Sequence, residues 1–353
     1  MVNLKRNGGE MVRTLFGVMF IMGLFCWAPQ SFAQPGVEAK IFEAWKKRAA
    51  DTAKVSVKIE ITTKTQAGFY LREPAGSSQF LPSPIEDQTT LHHYSLLLDS
   101  TTRHKIESEG PRFQSELFGN TKEYRVDVQT ERGAKSMWTT SAFDEFPEMS
   151  RITIYPKKFE SDKNFELLPY YLVYRPTDTD LSGERSLFRL KFDRSEVIDG
   201  KKIAVLADEV FKSVHEYWVE AEGEHCLLRV RQFKMGDAAK ERTPLIDMQL
   251  HYEGVIKPGI PRLMGWRTTY TVNRPPLGAR ENEMEGKVVK IQLLDSIDEK
   301  EFDFKVPPIH AVSNRETNED YLQIETGEQV PLKYSLDETP RRTVKRSLDG
   351  LKK

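Results

Sequence analysis

The apolar residues over positions 38–53 recur every four residues, and this spacing predicts an amphipathic helix. The recurring positions are Ile41, Trp45, Ala49 and Ala53, with Phe42 beside them. Lys46, Lys47 and Asp51 fall on the opposite side, where we expect contact with solvent. The helix is therefore expected to pack on the rest of the fold through the face that carries Trp45.

From Val55 onward the apolar period falls from four residues to two. Val55, Val57, Ile59 and Ile61 alternate with Ser56, Lys58, Glu60 and Thr62. This alternation is typical of an antiparallel strand with one buried and one solvated face.

Similar runs continue to about residue 306, separated by turn-forming pairs such as Asp199-Gly200. Residues 157–174 have helical or irregular character, and Pro169 is expected to interrupt them. Residues 274–286 are expected to form a long polar loop. Many short strands after one leading helix predict a mainly β, α+β fold. We expect a curved antiparallel sheet or unclosed half-barrel, with the N-terminal helix packed on its concave face.

The first 33 residues have the parts of a cleavable secretory signal. A basic start is followed by the apolar run 15–28 and by a small-x-small exit at Ala33. The alternative is an uncleaved anchor, but the run is shorter than the roughly 20 residues that span a bilayer, and Pro29 ends it. Lipid attachment at Cys26 is disfavoured because bulky Phe25 precedes it. We expect an exported protein, periplasmic or extracellular, without a transmembrane segment after cleavage.

The chain length allows one large β domain or two domains. The pattern favours one antiparallel half-barrel domain over residues 34–310. Residues 311–334 form a C-terminal extension with room for one more hairpin. Residues 335–353 are polar and have little to bury, so we expect a disordered tail.

Charge, cysteine content and the motifs of the sequence disfavour several classes of function. The formal net charge is −1 over 353 residues, so nothing global favours nucleic acid. After signal cleavage Cys226 is the only cysteine, which excludes an intrachain disulfide. No nucleotide loop, hydrolase elbow, zinc-protease motif or Cys-x-x-Cys pair occurs, so we expect no cofactor and no enzymatic activity.

The segment "SVHEYWVEAEGEHCLLRVRQF", residues 213–233, tests whether a metal site exists. A two-residue turn at Glu222-Gly223 predicts a hairpin. The predicted cross-strand pairs are Val219 with Cys226, Tyr217 with Leu228, His215 with Val230, Glu220 with His225, Trp218 with Leu227 and Glu216 with Arg229. In this register the histidines and the cysteine cannot converge on one ion, so Cys226 is expected to be a small core residue.

Two weaker metal patterns also fall short. His92 and His93 are adjacent in a strand, so their rings leave opposite faces. Residues 178–183, "DTDLSG", match the first half of a calcium loop, but Arg189 stands where the bidentate glutamate belongs. We therefore expect no metal site.

The order of elements resembles a known family. A signal, an amphipathic helix, "AKVSVKIEITTKT", the strand pair "HEYWVEAEGEHCLLRVRQF" and the late "EFDFKVPP" follow the order found in exported lipoprotein carriers of the LolA and LppX kind, including the sensor domain of RseB. The resemblance spans roughly residues 38–308 and rests on element order. It implies an unclosed antiparallel barrel with helices over its mouth, enclosing an apolar cavity for acyl chains.

A curled sheet with one apolar face needs that face covered, and one helix leaves room for an apolar ligand. The predicted lining residues are Val57, Ile59, Tyr217, Val219, Leu228 and Val230. The first hypothesis is a non-enzymatic carrier or sensor that binds a lipid or acyl chain there. The alternative is a solid-packed envelope module that binds a protein partner.

Overall fold

The computed structural model describes most of the chain after residue 35. The described ranges are 36–72, 81–100, 103–111, 122–140, 151–155, 165–176, 187–210, 212–235, 243–304, 310–324 and 326–332. The predicted signal, the calcium-like segment 178–183 and the predicted tail 335–353 lie outside them. Within these ranges no helix has the length and apolar character needed to cross a bilayer.

Strands account for most of the described elements. In chain order they are β1 Lys54–Thr65, β2 Tyr70–Arg72, β3 Leu81–Ser83, β4 Gln88–Asp99, β5 Arg103–Pro111, β6 Lys122–Thr130, β7 Gly133–Thr140, β8 Arg151–Tyr155, β9 Lys191–Ile198, β10 Lys201–Val210, β11 Ser213–Glu220, β12 Leu227–Lys234, β13 Ile246–Lys257, β14 Ile260–Arg274, β15 Gly278–Leu293, β16 His310–Asn314, β17 Glu319–Gln323 and β18 Gln329–Pro331.

Sixteen of these strands form one sheet in the order β18-β17-β16-β8-β7-β6-β5-β4-β1-β15-β14-β13-β12-β11-β10-β9. Neighbours pair antiparallel except β8 and β16, which are parallel. The sheet ends at β18 and β9 and does not close on itself. The prediction of a mainly β fold with an unclosed antiparallel sheet is confirmed. Strand β15 includes residues 278–286, so the prediction of a long loop there is wrong.

Two helices lie on one face of this sheet: α1, Val37–Asp51, and α2, Leu168–Tyr174. A 3₁₀ turn, Phe165–Leu167, leads directly into α2. Pro169 occupies the first turn of α2 instead of interrupting a helix, because a first-turn residue has no intrahelical acceptor for its N–H. Further 3₁₀ turns span Leu187–Arg189 and Glu299–Phe302.

Side chains alternate between the two faces of the sheet. In β1 every second residue is buried, including Val55, Val57, Ile59 and Ile61. The large core lies between the sheet and the two helices, and we call this side the helix-covered face. The opposite side is the open face, where Phe302 and Phe304 pack over Val126 and Val128.

Both ends of the sheet are protected against further pairing. At β9 the Glu38 carboxylate of α1 accepts a hydrogen bond from the Phe192 N–H. Charged Arg194 and Glu196 also bond to each other along this strand. At the other end β18 contains Pro331, which lacks an N–H to donate. Charges and proline on edge strands are the usual protection against aggregation.

Candidate functional site

Five of the six predicted lining residues lie together on the helix-covered face. Val57, Ile59, Tyr217, Val219 and Val230 share one core cluster with Ile41 and Trp45 of α1 and with the apolar residues of α2. Each of these five is 0–1% exposed. The sheet and helices therefore enclose the predicted lining, and contact with a bulky ligand requires α1 or α2 to move.

Leu228 does not belong to this set. It is half-buried and packs on the open face against Ile203, Val205 and Trp218. Tyr217 pairs with Val230 and Val219 pairs with Leu227, across a register shift after Trp218. The predicted hairpin register is therefore wrong: Leu227 takes the place opposite Val219 that had been assigned to Cys226, and Val230 takes the place opposite Tyr217 that had been assigned to Leu228.

The register changes because the β11–β12 connection is longer than a two-residue turn. Strand β11 ends at Glu220 and β12 begins at Leu227, and His225 adopts a left-handed φ of 49°. The loop folds onto α1, where Trp45 Nε1 donates to the His225 carbonyl at 3.0 Å. A contact 180 residues away in sequence thus overrides the local preference of Glu222-Gly223 for a tight turn.

Alanine substitutions at the two adjacent leucines test this register. Leu227→Ala is expected to lower the free energy of unfolding by about 2 kcal/mol, because Leu227 is fully buried, and Leu228→Ala by about 1 kcal/mol. Urea denaturation of both variants measures the difference. A larger loss at Leu228 would instead support the tight-turn register.

Reciprocal arginine bonds hold the C-terminal ends of α1 and α2 together. Arg48 of α1 donates to the Val173 carbonyl at 3.4 Å and to the Glu224 carbonyl at 2.5 Å. Arg175, just after α2, donates to the carbonyls of Ala49 and Ala53 at 3.0 and 2.9 Å. The Val173 and Ala49 carbonyls lie in the last turns of α2 and α1, where helix ends leave carbonyls without intrahelical partners. Burial lowers the pKa of the Arg48 guanidinium below its usual value.

A second set of contacts fixes the N-terminal end of α2 to the sheet. The Tyr94 hydroxyl donates to the Glu166 carboxylate, which lies in the 3₁₀ turn before α2. His92 Nδ1 is 3.7 Å from the same carboxylate, and His92 Nε2 is 3.2 Å from the Pro111 carbonyl. The described contacts at this end of α2 join side chains, whereas several of those at the other end are bonds to backbone carbonyls.

Three polar atoms on the helix-covered face, besides Thr268 Oγ1, have no hydrogen-bond partner in the described part of the chain. They are the Tyr170 hydroxyl, Trp266 Nε1 and Asn282 Oδ1. Their residues are 0%, 1% and 3% exposed. Buried polar groups normally bond to protein or to ordered water, because leaving one unbonded costs about 1–3 kcal/mol. This part of the apolar face therefore has hydrogen-bonding capacity that the described protein atoms do not use.

The sequence did contain a signal for part of this site. Asn282, Met284, Gly286 and Val288 alternate with charged or exposed residues along β15 and are all on the helix-covered face. The period of two within "ENEMEGKV" is the strand signal that was missed. The position of Tyr170 depends on how α2 lies across β14, which no local pattern encodes.

Cys226 is a free, buried cysteine, as predicted. Burial raises the pKa of its thiol to about 12. The thiol therefore stays protonated at neutral pH and is a poor nucleophile. Across the described ranges no three His, Cys, Asp or Glu side chains are arranged to hold a metal ion.

A shallow depression of about 360 Å³ lies on the open face. Its polar lining includes Lys58, Glu60, His93, Glu107 and Glu109. Ion pairs occupy its carboxylates: Lys105 is 2.9 Å from Glu107 and Lys122 is 3.7 Å from Glu109. Positive and negative charges alternate here, as on an ordinary solvated strand face, so no class of ligand is favoured.

Comparisons with known proteins add a likeness in structure. No protein-family model and no curated protein matches the chain. The chain is similar to a DUF1329 family protein from Desulfovibrio piger of known crystal structure, with 12% sequence identity and a TM-score of 0.39. The likeness covers 75% of this chain and 96% of that one. The neighbour's name specifies no ligand and no activity, so function has to be argued from this chain's own residues.

Proposed function

We propose that this protein is an exported, non-enzymatic carrier or sensor that binds an apolar or amphipathic ligand between α2 and the sheet. One observation carries the proposal: three buried polar atoms on the helix-covered face have no hydrogen-bond partner within the described ranges. Ligand sites are typically apolar surfaces with a few well-placed polar groups. The helix-covered face has that composition.

The attachment of α2 supports entry at its N-terminal end. That end is held by Glu166 through Tyr94 and His92. The other end is held through Arg48, Arg175 and Tyr174. The Tyr174 hydroxyl donates to the Pro261 carbonyl at 2.8 Å. Fewer of the described contacts hold the Glu166 end, so a ligand would enter beside Tyr94 and reach Ile59, which is paired with Tyr94.

The alternative function, an envelope module that binds a protein partner, is supported by a different observation. The five predicted lining residues on this face are at most 1% exposed, as expected of a solid core. In that case ordered water would serve the buried polar atoms. The two functions differ in what the purified protein carries.

Native mass spectrometry of protein purified from its own envelope, followed by lipid extraction, separates the two functions. We expect a chain that starts at Gln34, because residues 1–33 resemble a cleavable signal, together with a stoichiometric apolar ligand. A bare chain under gentle conditions, with no extractable lipid, would favour the interaction module and rule against the carrier.

A further inference from the structure

The hydrogen-bonding capacity of the three buried polar atoms bears on the charge of the proposed ligand. The Tyr170 hydroxyl donates and accepts, Trp266 Nε1 only donates, and Asn282 Oδ1 only accepts. We propose that the ligand carries an uncharged polar group, with an ester, amide or hydroxyl, which lies along β14 and β15 and bonds to these atoms. This inference rests on the proposed function and adds the chemical class of the ligand.

The geometry of the two strands sets the length of this group. Trp266 pairs with Gly286, and Tyr270 pairs with Asn282, which comes four residues before Gly286 in β15. At about 3.3 Å per residue, the two ends of the polar stretch are roughly 13 Å apart. Thr268 lies between them on the same face and is fully buried. A head group with several neutral polar atoms, such as a glycerol ester, suits such a stretch better than a single polar atom does.

The charged side chains around the stretch disfavour an ionic head group. Burial, and to a lesser extent the Glu166 carboxylate, raises the pKa of the Tyr70 and Tyr270 phenols, so an anion near them would face a negative charge. A cation would compete with the Tyr94 hydroxyl and His92 for Glu166. Arg48 and Arg175 are buried cations of this face, and both are already bonded to backbone carbonyls near the far end of α2. Burying an ion without a dedicated partner is far more costly than burying a neutral polar group.

Four probes with similar 18-carbon chains separate chain binding from recognition of the head group. The probes are monoolein, oleate, oleylamine and octadecene. Each is labelled and applied below its aggregation threshold at pH 8, and retention by the full mature protein is measured by gel filtration over a concentration series. We expect monoolein to be retained at least tenfold more tightly than the other three.

Two conservative variants test whether Tyr170 and Trp266 bind the polar group of monoolein. Tyr170→Phe removes a hydroxyl without a described partner, so it should leave the folded protein as stable as the wild type while weakening monoolein retention about fivefold. Trp266→Phe should also weaken it. Tyr171→Phe, on the same helix but only half-buried, is the matched control and should retain monoolein normally.

Each remaining result has a definite meaning. Oleate or oleylamine retained as tightly as monoolein would overturn the neutral-group inference while leaving the carrier in place. Unchanged monoolein retention by both Tyr170→Phe and Trp266→Phe would assign the buried atoms to water and overturn it as well. Failure to retain any of the four probes would overturn the carrier and this inference together.

Discussion

Trp45→Ala is expected to lower the free energy of unfolding by about 4 kcal/mol, within the range found for large aromatic residues removed from a core. Trp45 is fully buried between α1 and the sheet. Its Nε1 also donates to the His225 carbonyl, so the variant loses one of the bonds that hold the β11–β12 loop on α1. Both losses act at the same contact, where helix, loop and sheet meet.

Urea or guanidinium denaturation of the mature chain measures this effect. Lys47→Ala is the control, because Lys47 is exposed on the same helix and its removal should change stability by no more than about 0.5 kcal/mol. A loss below about 1 kcal/mol at Trp45 would mean that α1 contributes little to closing the helix-covered face.

Gly286→Ala is expected to destabilise the fold by about 3 kcal/mol through overpacking. A Cβ at Gly286 would come within 2.1 Å of Trp266 Cε2, and the indole is only 1% exposed. The indole lies across the glycine and has no space to move aside. The floor of the proposed site, formed by β14 and β15, would therefore be distorted.

Two comparisons make this second prediction specific. Gly254→Ala adds a methyl group where no atom lies within 4 Å, so only its left-handed φ of 64° costs stability, by about 1 kcal/mol. Replacing Trp266 by leucine in the Gly286→Ala background should reduce the penalty, because the overlapping ring is removed. Equal losses at Gly286 and Gly254 would contradict the steric explanation.

The two predictions bear on function as well as on stability. Trp45 helps to fix α1, and Gly286 lets the Trp266 ring lie flat beneath α2, next to the polar atoms assigned to the ligand. A carrier needs this floor to be rigid while the N-terminal end of α2 yields. The end of α2 at Glu166 and the end at Arg48 and Arg175 are anchored differently, which would let the first move while the second stays in place.

The hairpin between β11 and β12 was predicted only in part from the sequence. Alternation correctly placed Tyr217, Val219 and Val230 on the buried face, because a period of two is intrinsic to an extended chain. It misplaced Leu228, because the number of residues in a turn decides which face of the sheet each later residue occupies and which residue it pairs with. That number was set by Trp45 and Arg48, which draw residues 224 and 225 onto α1.

The sequence by itself determined the elements whose cause is local: the amphipathic helix α1, the alternating strand β1, and a mainly antiparallel sheet. Only the tertiary structure decided the hairpin register, the burial of Arg48 against backbone carbonyls, and the grouping of Tyr170, Trp266 and Asn282 on one face. Periodicity records which side of its own element a residue occupies. The partner across the core is chosen by packing and hydrogen bonding between segments more than 100 residues apart, and no local pattern contains that information.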